Sequence, residues 1–314
     1  MLNVLFPDRN SRTLNTESRT LNPELQFRLL LIDGHAVAYR AFYAIRQLTT
    51  KNGRPTNAVY GFIRMQQQLE RQWRPTHMVA VFDGGLPDER MELLASYKAQ
   101  REAMPDDLDA QFPVIEEYLR LSDITVLREE NEEADDVMAA VTVKARTAGG
   151  EVLLATSDKD MFQLVDDRTF IIPPTKSDMR MGAAEVREKT GVDPASIVEW
   201  LALIGDTSDN IPGVPGVGAK TAAKLLNAHG SVEAIYANLD DIKQEKLREA
   251  LKAHREDVLR NMRMMKLRID IPVVPDWNNW KVGQGDVKGL HAFYQELEFN
   301  SLAKELESPS LFGE

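Results

Sequence analysis

Short apolar runs recur through the first half of the chain, and three of them end in an acidic residue. They are RLLLID (28–33), HMVAVFD (77–83), ITVL (124–127), EVLLATSD (151–158) and TFIIP (169–173). Segments with helical periodicity lie between them, at about 36–46, 58–73, 106–121 and 132–147. Buried apolar strands that alternate with helices predict an α/β fold, with a central, mainly parallel sheet flanked by helices on both faces.

The pattern becomes mostly helical from about residue 181. Helices are predicted at 183–190, 194–204, 218–228, 231–238, 243–267 and 287–306, with a loop at 272–280. We therefore expect an α/β core at 28–180, a helical region at 181–306 and a tail at 307–314. Residues 1–27 are polar and contain SRTLN twice, so they are interpreted as a disordered extension. A wrongly assigned start codon would explain them equally well.

Composition narrows the possible classes of protein. The 314 residues include no cysteine, which excludes disulfides, thiolate zinc sites and a cysteine nucleophile. No apolar run approaches the roughly 18–20 residues that cross a bilayer, and the N-terminus has no secretory pattern, so we expect a cytoplasmic protein without a membrane partner. With 38 basic and 49 acidic residues the net charge is −11, which argues against a generic, basic nucleic-acid binder.

Nine acidic residues follow predicted strands or helices, or begin a helix. They are Asp33, Asp83, Glu133, Asp135, Asp136, Asp158, Asp160, Asp206 and Asp209. Because ligands bind outside the carboxyl ends of parallel strands, we expect these acids to converge. Crowded carboxylates raise one another's pKa, and the oxygen ligands favour Mg²⁺ or Mn²⁺. Two such ions about 3.5–4 Å apart bind the attacking and leaving oxygens of a phosphodiester.

Ordinary structural roles compete with this interpretation. A single Asp at a strand end is more often a cap or turn residue, and Glu133, Asp135 and Asp136 suit a helix N-terminus through its dipole. The coincidence of five acidic segments favours the metal site. A further segment, NIPGVPGVGAKTAAKLL, is similar to a Walker loop, but Ala219 stands where that motif needs lysine, which disfavours an ATPase.

Seven motifs together resemble a known family. In order they are LLLIDGHAVAYRAFYA, AVYGF, VAVFDGG, YKAQREAMPDDL, EEADDVMAA, ATSDKDMFQLV and GDTSDNIPGVPGVGAKTAAKLL. They resemble the bacterial 5′ nuclease domain of DNA polymerase I, in the wider family of phage 5′ nucleases and flap endonucleases, over about residues 28–306. The resemblance implies a sheet with a helical arch at about 85–110 and a helix-hairpin-helix at about 200–240. It also implies metal-dependent hydrolysis of 5′ ends and 5′ flaps on DNA, and of RNA primers on DNA, in replication and repair.

The resemblance also implies roles for the acids. Asp33, Asp83 and Asp135 would bind a first Mg²⁺, with Glu133 in its shell directly or through water. Asp158, Asp160 and Asp206 would bind a second, with Asp135 reaching both, and Mn²⁺ would substitute. Asp136 and Asp209 would be direct or outer ligands. Because all nine acids are present, we expect full activity.

Contacts with DNA are implied at three places. Lys98 and Arg101, expected on one face of a helix in YKAQR bounded by Pro87 and Pro105, would steer the scissile phosphate; a solvated helical hairpin is the alternative. Tyr39 would stack on a base, unless it is a core tyrosine, and Arg40 would contact phosphate. The remaining contacts belong to the helix-hairpin-helix, which would grip the duplex backbone and could hold K⁺: Gly213, Gly216, Gly218, Lys220, Thr221 and Lys224.

Two other functions stay open at this stage. One is a catalytically silent binder of branched DNA, and the other is a PIN-like ribonuclease that acts on RNA alone. The expected partners are 5′-flap, nicked or gapped DNA and RNA–DNA primer junctions, bound by a monomer at the nucleoid. The sequence SPSLF near the C-terminus weakly resembles a clamp-binding peptide, so a sliding clamp is a further candidate partner. The chain is expected to be either a free-standing nuclease or a fragment of a polymerase.

Overall fold

The computed structural model describes residues 25–307. Most of the predicted N-terminal extension, and the tail with its candidate clamp-binding peptide, lie outside these residues. The strands of the main sheet are β1 (Phe27–Asp33), β2 (His77–Val81), β3 (Thr125–Leu127), β4 (Gly150–Ala155) and β5 (Thr169–Ile171), and a hairpin adds β6 (Gly205–Asp206) and β7 (Ile211–Pro212). Within the described residues the main sheet is five-stranded and parallel throughout, in the order β3-β2-β1-β4-β5. The predicted α/β fold is therefore confirmed, and β1 begins one residue before its predicted start.

Helices cover both faces of this sheet. They are α1 (Gly34–Ala44), α2 (Asn57–Trp73), α3 (Asp88–Leu93), α4 (Asp106–Asp109), α5 (Phe112–Leu121), α6 (Ala134–Thr147), α7 (Ala183–Thr190), α8 (Ile197–Ile204), α9 (Ala219–His229), α10 (Val232–Ala237), α11 (Glu245–Ala253), α12 (Arg255–Met265), α13 (Val287–Glu296) and α14 (Asn300–Glu307). In the part of the chain that the structure describes, none of these helices is both long and apolar enough to span a membrane.

Alternating side chains of the central strand divide the interior into two cores. Leu30 and Ile32 pack with α1, α2, α5, α13 and α14 on one face. Leu29 and Leu31 pack on the other face with α6, α8, α9 and α12. The second core contains residues from both predicted parts of the chain. The α/β core and the helical region therefore share one interior.

Three long predicted helices are broken in the structure. The helix predicted at 243–267 is interrupted at His254, whose ring accepts or donates at 2.8 Å to Asp257 at the start of α12. The helix predicted at 106–121 breaks near Gln111, because the side-chain oxygen of Gln111 accepts hydrogen bonds from the first amides of α2. The segment 287–306 breaks where Glu298 adopts a φ of 58°.

The arch segment also differs from its prediction. A helix does begin after Pro87, but it ends at Leu93, and the residues that follow form turns. Lys98 has a φ of 55°, which excludes it from a right-handed helix. Its backbone N–H instead donates to the carbonyl oxygen of Asp209 at 3.0 Å. The expectation that Lys98 and Arg101 share a helix face is therefore wrong, because a tertiary contact with the hairpin shapes this turn.

Candidate active site

Four carboxylates from four separate segments meet in one cleft. Asp33 ends β1, Asp83 follows β2, Asp158 follows β4, and Asp135 lies in the first turn of α6. All four line a cleft of about 530 Å³ at the carboxyl edge of the sheet. Tyr39, Lys98, Arg101 and Ser208 line the same cleft. The predicted convergence is therefore confirmed for these four acids.

Two of these acids also cap helices. Asp33 Oδ1 accepts a hydrogen bond from the Ala36 amide at 2.9 Å, and its Oδ2 accepts one from the Thr156 hydroxyl at 2.9 Å. Asp83 Oδ1 accepts from the Ala134 amide at 2.8 Å, which ties β2 to the start of α6. These bonds fix the directions of both carboxylates before any ligand binds. Asp33 and Asp83 therefore each bond to the start of a helix and also line the cleft.

Three further acids surround the mouth of the cleft. The Asp160 amide donates to Asp158 Oδ1 at 2.8 Å, while Asp160 Oδ1 is buried and has no hydrogen-bond partner among the described residues. Asp206 accepts from the Ser208 amide at 2.8 Å and lies 3.0 Å from Lys159 Nζ. Asp209 accepts from Arg101 Nη2 at 2.6 Å. The hairpin thus brings its two acids to the edge of the sheet.

Electrostatic repulsion marks the centre of this cluster. Burial, together with the charges of Asp83 and Asp158, raises the pKa of Asp33 to about 6, although hydrogen bonds from Ala36 and Thr156 act against the shift. Burial and then neighbouring carboxylates also raise the pKa of Asp135 and Asp160. Burial likewise raises the pKa of Asp158. For Asp206, hydrogen bonds from Ser208 and Lys159 outweigh burial and lower the pKa.

Glu133 and Asp136 point away from the cleft lining. Both are buried, and both contact the guanidinium of Arg90 on α3. Glu133 also accepts from Lys98 Nζ and, at 3.0 Å, from the Tyr97 hydroxyl. Asp136 accepts from Arg90 at 2.7 and 2.9 Å. The structure therefore places these two predicted metal-binding residues against cations of the arch segment.

The cluster fits a divalent cation in its chemistry. All the donors are carboxylate oxygens, which suit hard ions, and the buried Asp160 Oδ1 lacks any other partner within residues 25–307. Burial first, and then the charges of neighbouring carboxylates, raise the pKa of Asp33 and Asp135, so a cation would stabilise their charged forms. Among the described residues, however, no group of three or more His, Cys, Asp or Glu side chains is arranged to hold an ion as it stands.

The predicted DNA contacts lie close to the cleft. Tyr39 is half-buried and stacks on Tyr43, with ring centroids 6.4 Å apart at 27°. Arg40 is exposed on α1 and lines a different cavity, with Lys176, instead of the cleft. Lys98 and Arg101 both reach Asp209, at 3.9 and 2.6 Å. The two cations therefore lie beside the acids even though they do not share a helix.

A tight hairpin joins α8 to α9. A Cβ at Gly213 would lie 2.2 Å from the Ile204 carbonyl, so the two backbones approach too closely for any other residue. Gly216 has a φ of 82°, which glycine adopts without strain. Gly218 precedes α9 with nothing within 4 Å of a Cβ placed there. Lys220 and Lys224 are exposed on α9, and Thr221 is half-buried between them.

The sequence matches two consecutive parts of one protein family. These are the N-terminal resolvase-like domain of 5′–3′ exonucleases, over residues 28–191, and their C-terminal SAM fold, over residues 192–288. This chain belongs to the 5′–3′ exonuclease family. The resemblance found in the sequence motifs is confirmed, and the C-terminal match contains the hairpin between α8 and α9.

Relatives of this chain differ in length. It is 39% identical to the 5′–3′ exonuclease of Aquifex aeolicus over 279 residues, which cover 89% of this chain and 95% of that protein. It is 41% identical to DNA polymerase I of Bacillus caldotenax over 286 residues, 90% of this chain and 33% of that protein. The chain thus spans about one third of the length of this polymerase.

Solved structures share the fold of this chain. The T5 D15 protein crystallised with metal ions aligns with a TM-score of 0.64 at 23% identity, covering 89% of this chain and 98% of that one. The catalytic core of Rad2 in complex with DNA aligns with a TM-score of 0.63 at 17% identity, covering 94% of this chain and 97% of that one. The predicted 5′ nuclease fold is therefore confirmed.

The structure adds residues that the sequence interpretation missed. Tyr97 and Arg90 bind the acids at the start of α6, and Lys159 pairs with Asp206. Tyr97 stands directly before Lys98, and Lys159 lies between Asp158 and Asp160, so adjacency to assigned residues was an available signal. Arg90 gave no such signal, because in PDERMELL it has the pattern of a solvated helical residue.

Proposed function

We propose that this exonuclease hydrolyses phosphodiester bonds at the 5′ ends and 5′ flaps of branched DNA, and of RNA primers paired to DNA, in replication and repair. The observation that supports this most directly is the cleft in which Asp33, Asp83, Asp135 and Asp158 lie beside two cations and an aromatic ring. Carboxylates alone would repel a phosphodiester. A cleft that combines them with Lys98 and Arg101 suits a substrate that arrives together with divalent cations.

Two Mg²⁺ ions, replaceable by Mn²⁺, would neutralise the acids. Asp33, Asp83 and Asp135 would hold the first, with Glu133 beside it, and Asp158, Asp160 and Asp206 would hold the second, with Asp135 between them. When bound, the ions lower the pKa of water and stabilise charge on the reacting phosphate. Asp136 and Asp209 would act from outside, and Glu133 would reach the first ion through water, because all three already pair with arginine or lysine side chains.

The chain's own cations and rings would orient the substrate. Lys98 and Arg101 can turn from Asp209 towards a phosphate, where charged hydrogen bonds offset the charge that develops in the transition state. Tyr39, already stacked on Tyr43, offers a flat surface for a base beside the cut. Arg40 would bind a nearby phosphate. These contacts do not depend on sequence, which suits an enzyme that recognises the shape of a junction.

The hairpin between α8 and α9 would hold the duplex. The open space at Gly216 and Gly218 admits a phosphate close to the backbone, and the amides of the first turn of α9 point towards it. Lys220, Thr221 and Lys224 would extend this contact, and hairpin carbonyls could hold K⁺. We further propose that the protein acts as a monomer at the nucleoid, with a sliding clamp as a candidate partner.

A flap-cleavage assay tests the proposal. Purified protein with Mg²⁺ is expected to cut a labelled 5′-flap duplex near its junction, and EDTA is expected to stop the reaction. A matched RNA hairpin distinguishes the ribonuclease alternative, because cleavage of RNA alone would contradict a DNA-junction enzyme. Binding of the flap without cleavage in either Mg²⁺ or Mn²⁺ would instead support the silent binder.

A further inference from the structure

Arg90 forms a buried crosslink at the base of the arch segment. Its side chain lies on α3 and is 6% exposed. Nε donates to the Met264 carbonyl oxygen at 3.1 Å, Nη1 and Nη2 donate to Asp136 at 2.7 and 2.9 Å, and Nη1 also donates to Glu133. Every guanidinium nitrogen is therefore engaged, by α12 on one side and by the start of α6 on the other.

Arg90 binds Glu133 and Asp136, which flank Asp135, an acid that lines the cleft. Glu133 is the N-cap of α6 and Asp136 lies three residues later, so their side chains are neighbours on one face of the first turn. Asp135 lies between them in the chain and lines the cleft instead. Because Arg90 binds both flanking carboxylates, it fixes the rotation of this turn about the helix axis. The direction of Asp135 follows from that rotation.

We propose that Arg90 is a positioning residue, which aims Asp135 into the cleft by clamping Glu133 and Asp136. The proposal rests on the nuclease function proposed above. Arg90 touches neither the cleft nor any group expected to meet DNA, so its effect passes through Asp135. Lys98 and Tyr97 bind the same Glu133, which links the arch turn to the clamp. Arg90 and Lys98 thereby neutralise the charges of Glu133 and Asp136 without a bound metal ion.

A plain structural ion pair is the competing explanation, and a matched variant separates the two. Arg64 makes a comparable bidentate pair with Glu305, at 2.7 Å for each bond, between α2 and α14. Arg64→Gln removes this single pair, whereas Arg90→Gln removes the pairs with both Asp136 and Glu133. Arg90→Lys keeps the charge of Arg90 but lacks the planar fork, so it provides a milder variant if Arg90→Gln does not fold.

Three measurements decide between the explanations: kcat and KM on a 5′-flap substrate, flap affinity in EDTA, and the rise in Tm on adding Mg²⁺. Both Arg90 variants are expected to lose about 10- to 100-fold in kcat, as for residues that orient metal-binding side chains. Their KM and flap affinity should stay unchanged, and their Mg²⁺-induced rise in Tm should shrink. Arg64→Gln should lower the metal-free Tm but keep kcat and the full rise.

Several results would overturn the proposal. Arg90 variants that keep the kcat of the parent, or lose only what Arg64→Gln loses, would leave Arg90 a structural residue. A raised KM with unchanged kcat would show a direct DNA contact instead. If the parent protein fails to cut any flap, the proposed function is wrong. The Mg²⁺-induced rise in Tm still tests the clamp in that case, because it needs no cleavage.

Discussion

Asp83 shows how one side chain serves both folding and the cleft. One oxygen accepts the Ala134 amide at 2.8 Å, and the other lies 3.3 Å from His35 Nδ1. Burial lowers the pKa of His35, despite the opposing charge of Asp83, so the ring tends to be neutral near pH 7. The second oxygen of Asp83 therefore meets a weak partner. A capping bond thus orients this acid while leaving it free to bind a cation.

Asp158 offers the most direct test of the acids as metal-binding residues. Asp158→Asn keeps the shape of the side chain but removes the charge, so it is expected to lower kcat on a 5′ flap by at least about 100-fold. Flap affinity in EDTA should persist, because binding depends on other residues. Asp167→Asn is the matched control, since Asp167 is exposed nine residues further along. Equal activity of the two variants would disprove the assignment of Asp158.

Single residues differ in how well the sequence predicts them. Asp33, Asp83 and Asp158 were predictable because parallel strands bring their carboxyl ends to one edge. Arg90 was not, because its partner Glu133 lies 43 residues away, and Tyr97 had only its adjacency to Lys98 as a signal. Asp136 has the same acidic pattern as Asp135, yet its side chain turns to Arg90. Asp136 therefore faces Arg90 on α3, whereas Asp135 lines the cleft.

At the scale of elements, the strands follow from the sequence better than the helix boundaries do. Buried apolar runs predicted all the strands of the main sheet. Helix breaks at Gln111 and Lys98 were missed because each depends on a contact outside the local segment. The break at His254 accompanies a local contact with Asp257, three residues along. Periodicity records which face is buried, but it does not record a side chain or carbonyl elsewhere that captures a backbone amide.

Two glycines of the hairpin between α8 and α9 allow its role in folding and its role in DNA binding to be tested separately. Gly213→Ala would place a methyl group 2.2 Å from the Ile204 carbonyl, so the variant is expected to have a lower Tm. Gly218→Ala meets nothing within 4 Å and has a φ of −94°, so its Tm should match that of the parent. If a phosphate approaches at this point, the added methyl group should weaken flap binding in EDTA.

The two glycine variants control for one another. Thermal unfolding and fluorescence anisotropy with a labelled flap measure both effects on the same samples. Gly218→Ala with parental affinity would show that DNA does not approach the start of α9. The close backbone contact at Gly213 predicts a lower Tm for Gly213→Ala, so an unchanged Tm would contradict it.

At the scale of the whole molecule, the charge of −11 is partly a property of one edge of the sheet. Acids gather there from β1, β2, β4, α6 and the hairpin, whereas Lys220 and Lys224 are exposed on α9. The net charge therefore gave a poor prediction about nucleic-acid binding, and the distribution of charge is the better guide. Folding must bring these like charges together in one cleft, so the stability of the protein should depend on pH.

The direction of this pH dependence follows from the pKa of Asp33. Its pKa rises from 3.8 to about 6 on folding, so the folded state binds more protons than the unfolded state between these values. Stability therefore falls as pH rises through that window and stays lower above it. Burial raises the pKa of Asp135 and Asp160 in the same direction. At neutral pH the metal-free acids thus oppose folding.

Mg²⁺ is expected to reverse this loss most strongly where the acids are ionised. The rise in Tm on adding Mg²⁺ should be larger at pH 8 than at pH 5, because ligands must lose their protons to bind a metal. Asp135→Asn should raise the metal-free Tm at pH 8, by about 2–4 °C for each kcal/mol of repulsion removed, and should blunt the response to Mg²⁺. Thermal unfolding in EDTA and in Mg²⁺ measures both effects, with Asp167→Asn as control. A response to Mg²⁺ that is equal at the two pH values, or that survives in Asp135→Asn, would place the cation away from these carboxylates.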